Sequence, residues 1–270
     1  MSNYEIALAA LLFAAGAGLA ALIVFLRERW NAGGQRRVAG YRDVYEPLFA
    51  DLWSDEMHRR LTALFVAQRI AKSRAAARGL ADVLISFIRR RLASADDATL
   101  DRASFEDVRL ALTILGTRAV RQAQAASGQN IDLSGINFRG AAFYGVNLQG
   151  FRLAQCNFDR CQLASAKLMG ADLSGASLVG TGFHGADLRQ ADFSEADLSD
   201  ADFTRARVAA ADFTNANIGG TILSDSTGLV QEQLDQAFGD SETAVPERMR
   251  FVPGRTQRLR GRASTVESGS

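Results

Sequence analysis

One apolar position recurs on every fifth residue between Ile131 and Asp225. Its members are Leu133, Phe138, Phe143, Leu148, Leu153, Phe158, Leu163, Leu168, Leu173, Leu178, Phe183, Leu188, Phe193, Leu198, Phe203, Val208, Phe213, Ile218 and Leu223, nineteen centres without an insertion. Two residues before each centre stands a second, mostly small position, occupied by Ala at 166, 171, 176 and from 186 through 216. Asp or Asn often lies between the two, and Ser, Thr or Gly usually follow the centre. A period of five matches neither the 3.6 of a helix nor the 2 of a strand. The stretch is therefore an array of short flat faces, each with its centre and small residue pointing inward and the other three residues pointing out or turning a corner.

Two other patterns precede the array. Ile6 to Leu26 is a run of twenty-one residues without a charge, which as a helix reaches ~31 Å, enough for the hydrocarbon core of a bilayer. Tyr4 and Trp30 flank it, Arg27, Arg29, Arg36 and Arg37 follow it, and only Glu5 is charged before it. The positive-inside rule then puts the N-terminus outside and the bulk of the chain in the cytoplasm. The competing reading, a cleaved signal peptide, needs a basic start that MSNYE does not supply. Ala10, Ala14 and Gly18 form a small-residue ridge on which two copies could approach, so a homo-oligomer is an open expectation.

After the break NAGG (31–34), apolar residues take helical spacing. One helix is expected over Tyr41–Leu52. Ser54, ahead of Asp55 and Glu56, opens another that buries Met57, Leu61, Leu64, Phe65 and Ile70. A third follows over Ala75–Leu92, with Leu80, Val83, Leu84, Phe87 and Ile88 on its apolar face. Ser104, three residues before Asp107, starts the last one through Val108, Leu112 and Leu115. Beyond the array, Thr227–Asp240 reads as an amphipathic turn and helix with Leu229, Leu234 and Phe238 on its apolar side. The chain thus divides into an anchor (1–30), a linker (31–37), a helical module (38–127), the array (131–225), a capping helix (226–245) and a basic tail (246–270) whose composition is that of a disordered segment.

The units Ala171-Asp172-Leu173 and Ala201-Asp202-Phe203 show the pattern A-[DN]-[LF]-x-x, which resembles the pentapeptide-repeat family. The resemblance implies a right-handed quadrilateral β-helix with four repeats, twenty residues, in each coil. Leu133, Leu153, Leu173, Phe193 and Phe213 then stack in one ladder, and Phe143, Leu163, Phe183, Phe203 and Leu223 in another. At one strand spacing per coil the rod is ~20 Å long. The stretch from Leu61 to Gly116 looks like the small HEAT-like helical module that precedes the repeats in some bacterial members, which implies a role in interaction or in closing the N-terminal end. The expected fold is mixed: a transmembrane helix, a small α-helical module and a β-helix solenoid closed by a short helix.

Net charge of +1 argues against a bulk electrostatic partner. Arginine is concentrated in the helical module, however, where Arg59, Arg60, Arg89 and Arg90 are candidates for contact with anionic lipid headgroups. Nucleic acid is disfavoured, since no aromatic platform accompanies them. On the array the acidic candidates are Asp192, Glu195, Asp197, Asp200 and Asp202, against the plainer reading that Asp before the centre belongs to the repeat. Some family members resemble a negatively charged duplex and bind type II topoisomerases such as gyrase, so DNA mimicry is the alternative function the resemblance brings. Cys156 and Cys161 occupy small inward positions, and with His58 and His184 they do not make a zinc set. No phosphate-cradling glycine loop, nucleophile elbow or histidine–carboxylate cluster is readable. The expectation is a non-enzymatic protein without catalytic residues, cofactor or metal. It is a single-pass protein of the bacterial inner membrane, presenting a rigid scaffold to an unknown protein partner on the cytoplasmic side.

Overall fold

The computed structural model of the chain describes residues 50–72, 77–93 and 105–250. The anchor, the linker, most of the helix expected over 41–52, Ser104 and the tail beyond 250 lie outside the described residues. Among the described residues no helix is long and apolar enough to cross a membrane.

The array folds as its period dictates. In each repeat the residue before the centre forms a parallel bridge to the residue twenty positions on, from Asp132 with Arg152 to Arg207 with Thr227. Four repeats therefore complete one coil. Every centre is buried, and so is nearly every small position. The expected ladders form, with Phe193 stacked on Phe213 at 5.4 Å and Phe183 over Phe203 at 4.9 Å between ring centroids. Phe183 meets Phe193 nearly perpendicular at 6.1 Å, so rings of neighbouring ladders interlock across the core.

From Phe138 onward each corner is a β-turn closed by a hydrogen bond back to the centre, as from Ala141 N to Phe138 O at 3.0 Å. The second residue of these turns has positive φ, the conformation a type II turn requires. Glycine holds it at Gly135, Gly140 and Gly175, but Arg160, Glu195, Asp200 and Arg205 hold it at φ of 57 to 59°.

Among the described residues ahead of the array lie a 3₁₀ turn, Ala50–Trp53, and four helices: α1 (Met57–Ile70), α2 (Ala77–Ala93), α3 (Glu106–Leu115) and α4 (Arg118–Ala126). Helix α3 is central and packs on the other three. Helix α2 buries Leu80, Leu84, Phe87 and Ile88, and α3 buries Val108, Leu112 and Leu115, as expected. Two readings are corrected. Helix α4 was not anticipated. On α1 the core face is Arg60, Ala63, Leu64, Ala67 and Ala71, whereas Phe65 is 57% exposed. Both stripes have helical spacing; the one rich in alanine wins because it lets α1 approach α3 closely and brings Arg60 to Asp107.

Of the helix start expected at Ser104 and Asp107, Ser104 lies outside the described residues, and α3 begins at Glu106. Asp107 is fully buried and receives Arg60 Nε at 2.5 Å and Arg91 Nε at 3.3 Å. Arg60 further donates to the carbonyls of Ser54 and Asp55 at 2.9 and 2.7 Å. A buried carboxylate is tolerable on these terms because it is both paired and hydrogen-bonded.

The module closes the N-terminal end of the β-helix. Phe143 of the first coil meets Phe105 edge-on at 6.1 Å, and the centres of that coil are as buried as those in the middle. Within the array, the N–H of one centre and the N–H two residues later donate to the next coil, as from Leu133 to Arg152 O and from Gly135 to Ala154 O. No preceding coil exists to serve Asp132 O and Ser134 O. Arg89 supplies the missing donors, Nη2 to Asp132 O at 3.3 Å and Nη1 to Ser134 O at 3.2 Å. Gly116 sits so close that a Cβ there would lie 2.2 Å from Asn147 O, and its own carbonyl accepts from Asn147 Nδ2 at 3.0 Å.

The far end is closed by the chain after Thr227, but the helix there is short, Gln231–Asp235. Most of the closure is an irregular further coil, with Phe238 bridging Asn217 and Ala244 bridging Ile222. Phe238 is half-buried because it belongs to this strand-like path, not to a helix face. Gln233 Nε2 donates to Val208 O and Ala211 O at 3.0 and 2.6 Å, and Asp240 Oδ1 accepts from Gly220 N at 3.0 Å. The ordered closure runs past 246, since Arg250 and Gln231 exchange two hydrogen bonds of 3.1 and 2.8 Å. Both open edges that a solenoid must protect are thus covered by the chain itself.

Candidate functional site

Four outer columns remain, one per face, each named here by its first residue. The Asp132 face carries Asp132, Arg152, Asp172, Asp192 and Asp212; the Asn137 face carries Asn137, Asn157, Ser177, Asp197 and Asn217. The Ala142 face carries Ala142, Gln162, Gly182, Asp202 and Ile222, and the Asn147 face Asn147, Lys167, Asp187, Arg207 and Thr227. Over 131–225, eleven acidic against seven basic side chains leave a modest negative excess.

The acidic candidates do not converge. Asp192, Asp197 and Asp202 stand on three successive faces of one coil, with Glu195 and Asp200 at the corners between them. The three aspartates also have a local task. Asp192 Oδ1 accepts from Ser194 N at 2.8 Å, Asp197 from Ser199 N at 3.1 Å and Asp202 from Thr204 N at 2.8 Å. Each fixes the turn that follows it, which is why the repeat favours Asp or Asn there. On the Asn147 face Arg189 makes a two-pronged pair with Asp187, both contacts 2.7 Å. The Arg189 hydrogen bond holds the Asp187 carboxyl below its ordinary value.

The basic candidates are dispersed as well. Arg60 is buried in its pair with Asp107, so it is not a surface residue. Arg89 is engaged with the first coil. The Arg90 guanidinium lies over the Trp53 ring at 5.5 Å. Arg59, exposed like Arg89 and Arg90, stands on α1 3.0 Å from the Glu56 carboxylate. Sequence reasoning read Asp107 only as part of a helix start and Gly116 only as the end of the module, and missed the buried pairing of the one and the close contact of the other; a lone Asp and Gly in helical text carry no periodic signal.

Cys156 and Cys161 donate weakly to Leu133 O and Phe138 O at 3.1 and 2.8 Å. Burial pushes both thiols up to about 12, well away from the range of a reactive nucleophile. Thr181 and Thr221 fill the same small position and make the same bond, to Phe158 O and Leu198 O. Among the described residues no group of His, Cys, Asp and Glu could hold a metal ion.

The family pattern described as "Pentapeptide repeats", in eight copies, matches residues 129–158, 156–194 and 191–227. The chain belongs to the pentapeptide-repeat family. A pentapeptide-repeat protein of the Arabidopsis thaliana thylakoid lumen is 30% identical over 40% of this chain and 77% of its own, with a TM-score of 0.21. HetL, involved in heterocyst differentiation regulation in Nostoc sp. strain PCC 7120, is 23% identical over 45% of this chain and 66% of its own, TM-score 0.23. Trypsin-treated QnrB1, a plasmid-mediated fluoroquinolone resistance protein, is 19% identical over 46% of this chain and 78% of its own, TM-score 0.31. No curated protein matches the chain significantly. Pentapeptide repeats supply a rod whose interior is spent on packing, and this one offers four lateral columns for any contact.

Proposed function

We propose that this pentapeptide-repeat protein is a non-enzymatic interaction scaffold, tethered by Ile6–Leu26 at the cytoplasmic face of a bacterial inner membrane. The observation that carries the reading is the double closure of the array. With one end occupied by α3, α4 and Arg89 and the other by 228–250, only the lateral faces are available to a protein partner. The uncharged run of 6–26 raises the local concentration of those faces at the bilayer. Reporter fusions after Leu26 and at Ser270 test the orientation: both are active as cytoplasmic reporters if the reading holds, and a periplasmic signal refutes it.

A second reading, a DNA-mimic modulator of a type II topoisomerase, draws support from the column Asp172, Asp192, Asp212 at strand spacing. Arg152 heads that column, and Lys167, Arg189 and Arg207 interrupt the next face, so it is the weaker of the two. A soluble fragment, 38–253, that protects or inhibits gyrase supercoiling would favour it over the scaffold.

A further inference from the structure

Helix α1 has a solvent face that the fold does not use. Successive exposed positions at His58, Thr62, Phe65, Arg69 and Lys72 alternate by four and three residues, one stripe of a helix. Phe65, at 57% exposure, is the most exposed of the large apolar side chains among the described residues of the helical module. Leu61 flanks it half-buried, and no carboxylate lies within the stripe. His58, at one end of the stripe, meets the Glu56 carboxylate at 3.3 Å, but an aromatic ring beside Arg69 and Lys72, with no carboxylate pairing them among the described residues, matches the boundary between lipid headgroups and acyl chains.

We infer that this face of α1 docks on an anionic bilayer surface, with Phe65 entering the headgroup boundary and Arg69 and Lys72 pairing with lipid phosphates and carboxylates. The inference rests on the reading of Ile6–Leu26 as an anchor and names the lipid-facing part of the helical module. It moves the contact away from Arg60, Arg89 and Arg90, which the fold engages elsewhere. Thirty residues separate Leu26 from Met57; fully extended they span no more than about 100 Å, so a tethered α1 stays at high effective concentration over the leaflet. Two cations on a partly apolar face bind weakly alone and usefully under such a tether.

The experiment uses the full chain with an environment-sensitive fluorophore on Thr62→Cys, mixed with nanodiscs of phosphatidylcholine alone or with phosphatidylserine added. The two native thiols are buried and protonated, so the label goes to position 62. The expected result is a blue shift with phosphatidylserine only, reversed at high salt as the charges are screened. In the Arg69→Gln, Lys72→Gln variant the ratio of docked to undocked chain falls about thirtyfold, and Phe65→Ser lowers it as well. Equal emission in the two lipids, or a shift that survives the double variant, overturns the inference. So does a shift given by polyglutamate but not by anionic lipid, which would mark an acidic protein as the ligand. The anchor is read separately, by resistance of the same chain to alkaline carbonate extraction. A chain that extracts yet still shifts on phosphatidylserine refutes the anchor and leaves the docking face standing.

Discussion

The array and the helical module bury their polar groups by opposite means. In the array every coil offers the same bonds to the next, so a backbone donor finds its acceptor by repetition and most inward side chains have only to fill space. In the module one buried carboxylate, Asp107, gathers two arginines from two different helices. The first is redundant and tolerant; the second depends on single side chains. The comparison teaches where each region is fragile, and the point where they meet, Gly116 against Asn147, shares the fragility of both.

Asp107→Ala is the sharpest test of that contrast. It leaves the buried Arg60 guanidinium with the Ser54 and Asp55 carbonyls but no counter-charge, and should destabilise the module by about 3–5 kcal/mol. Phe193→Ala should cost the array a similar amount, about 3–5 kcal/mol, through a cavity and three lost ring contacts. Hydrogen exchange read helix by helix and coil by coil separates them. The first variant should loosen α1 to α3 and spare the later coils, and the second should do the reverse. Identical exchange patterns in the two variants would dissolve the distinction.

Gly116→Ala comes next. The added methyl meets backbone, not a movable side chain, so the module must shift on the first coil, at about 1–3 kcal/mol. The expected signs are a lower Tm and faster exchange at the first coil. An unchanged Tm would show that the contact between α3 and the array is loose.

Much of the fold was legible because the period of five leaves one inward pair per repeat, and a register without insertions admits one stacking. The module was legible only as helices. Periodicity could not choose between the Phe65 stripe and the Arg60 stripe of α1, because both fit a helix and the choice depends on what α3 presents. The surface candidates were the least legible. An Asp that fixes its own turn and an Asp free to meet a partner read alike, and Arg60 and Arg59 are neighbours with opposite fates. The extent of the C-terminal closure was missed for a related reason, since Phe238 and Ala244 join the sheet at an irregular spacing.

A smaller effect, of the other sign, is expected at the corners. Glu195 sits at φ 59°, and Glu195→Gly should raise stability by about 1 kcal/mol in thermal or urea unfolding. A loss would mean that the Glu195 side chain makes a contact worth more than its backbone strain. The smallest effect concerns acid. The Gly220 amide, ahead of those of Glu242 and Thr243, holds the Asp240 carboxyl below its ordinary value of 3.8. Its contribution to the C-terminal closure is present above that pH and is lost as pH falls through the depressed value. Protection of the Gly220 amide, corrected for intrinsic exchange, should therefore fall below about pH 4; in Asp240→Asn that pH dependence should vanish.

Capture from solubilised membranes, comparing the full chain with one lacking 131–225, addresses the scaffold reading most directly. The account predicts a protein that stays with the full chain and is lost with the array. The same protein retained equally by both would contradict it, because the lateral columns would then have no part in binding.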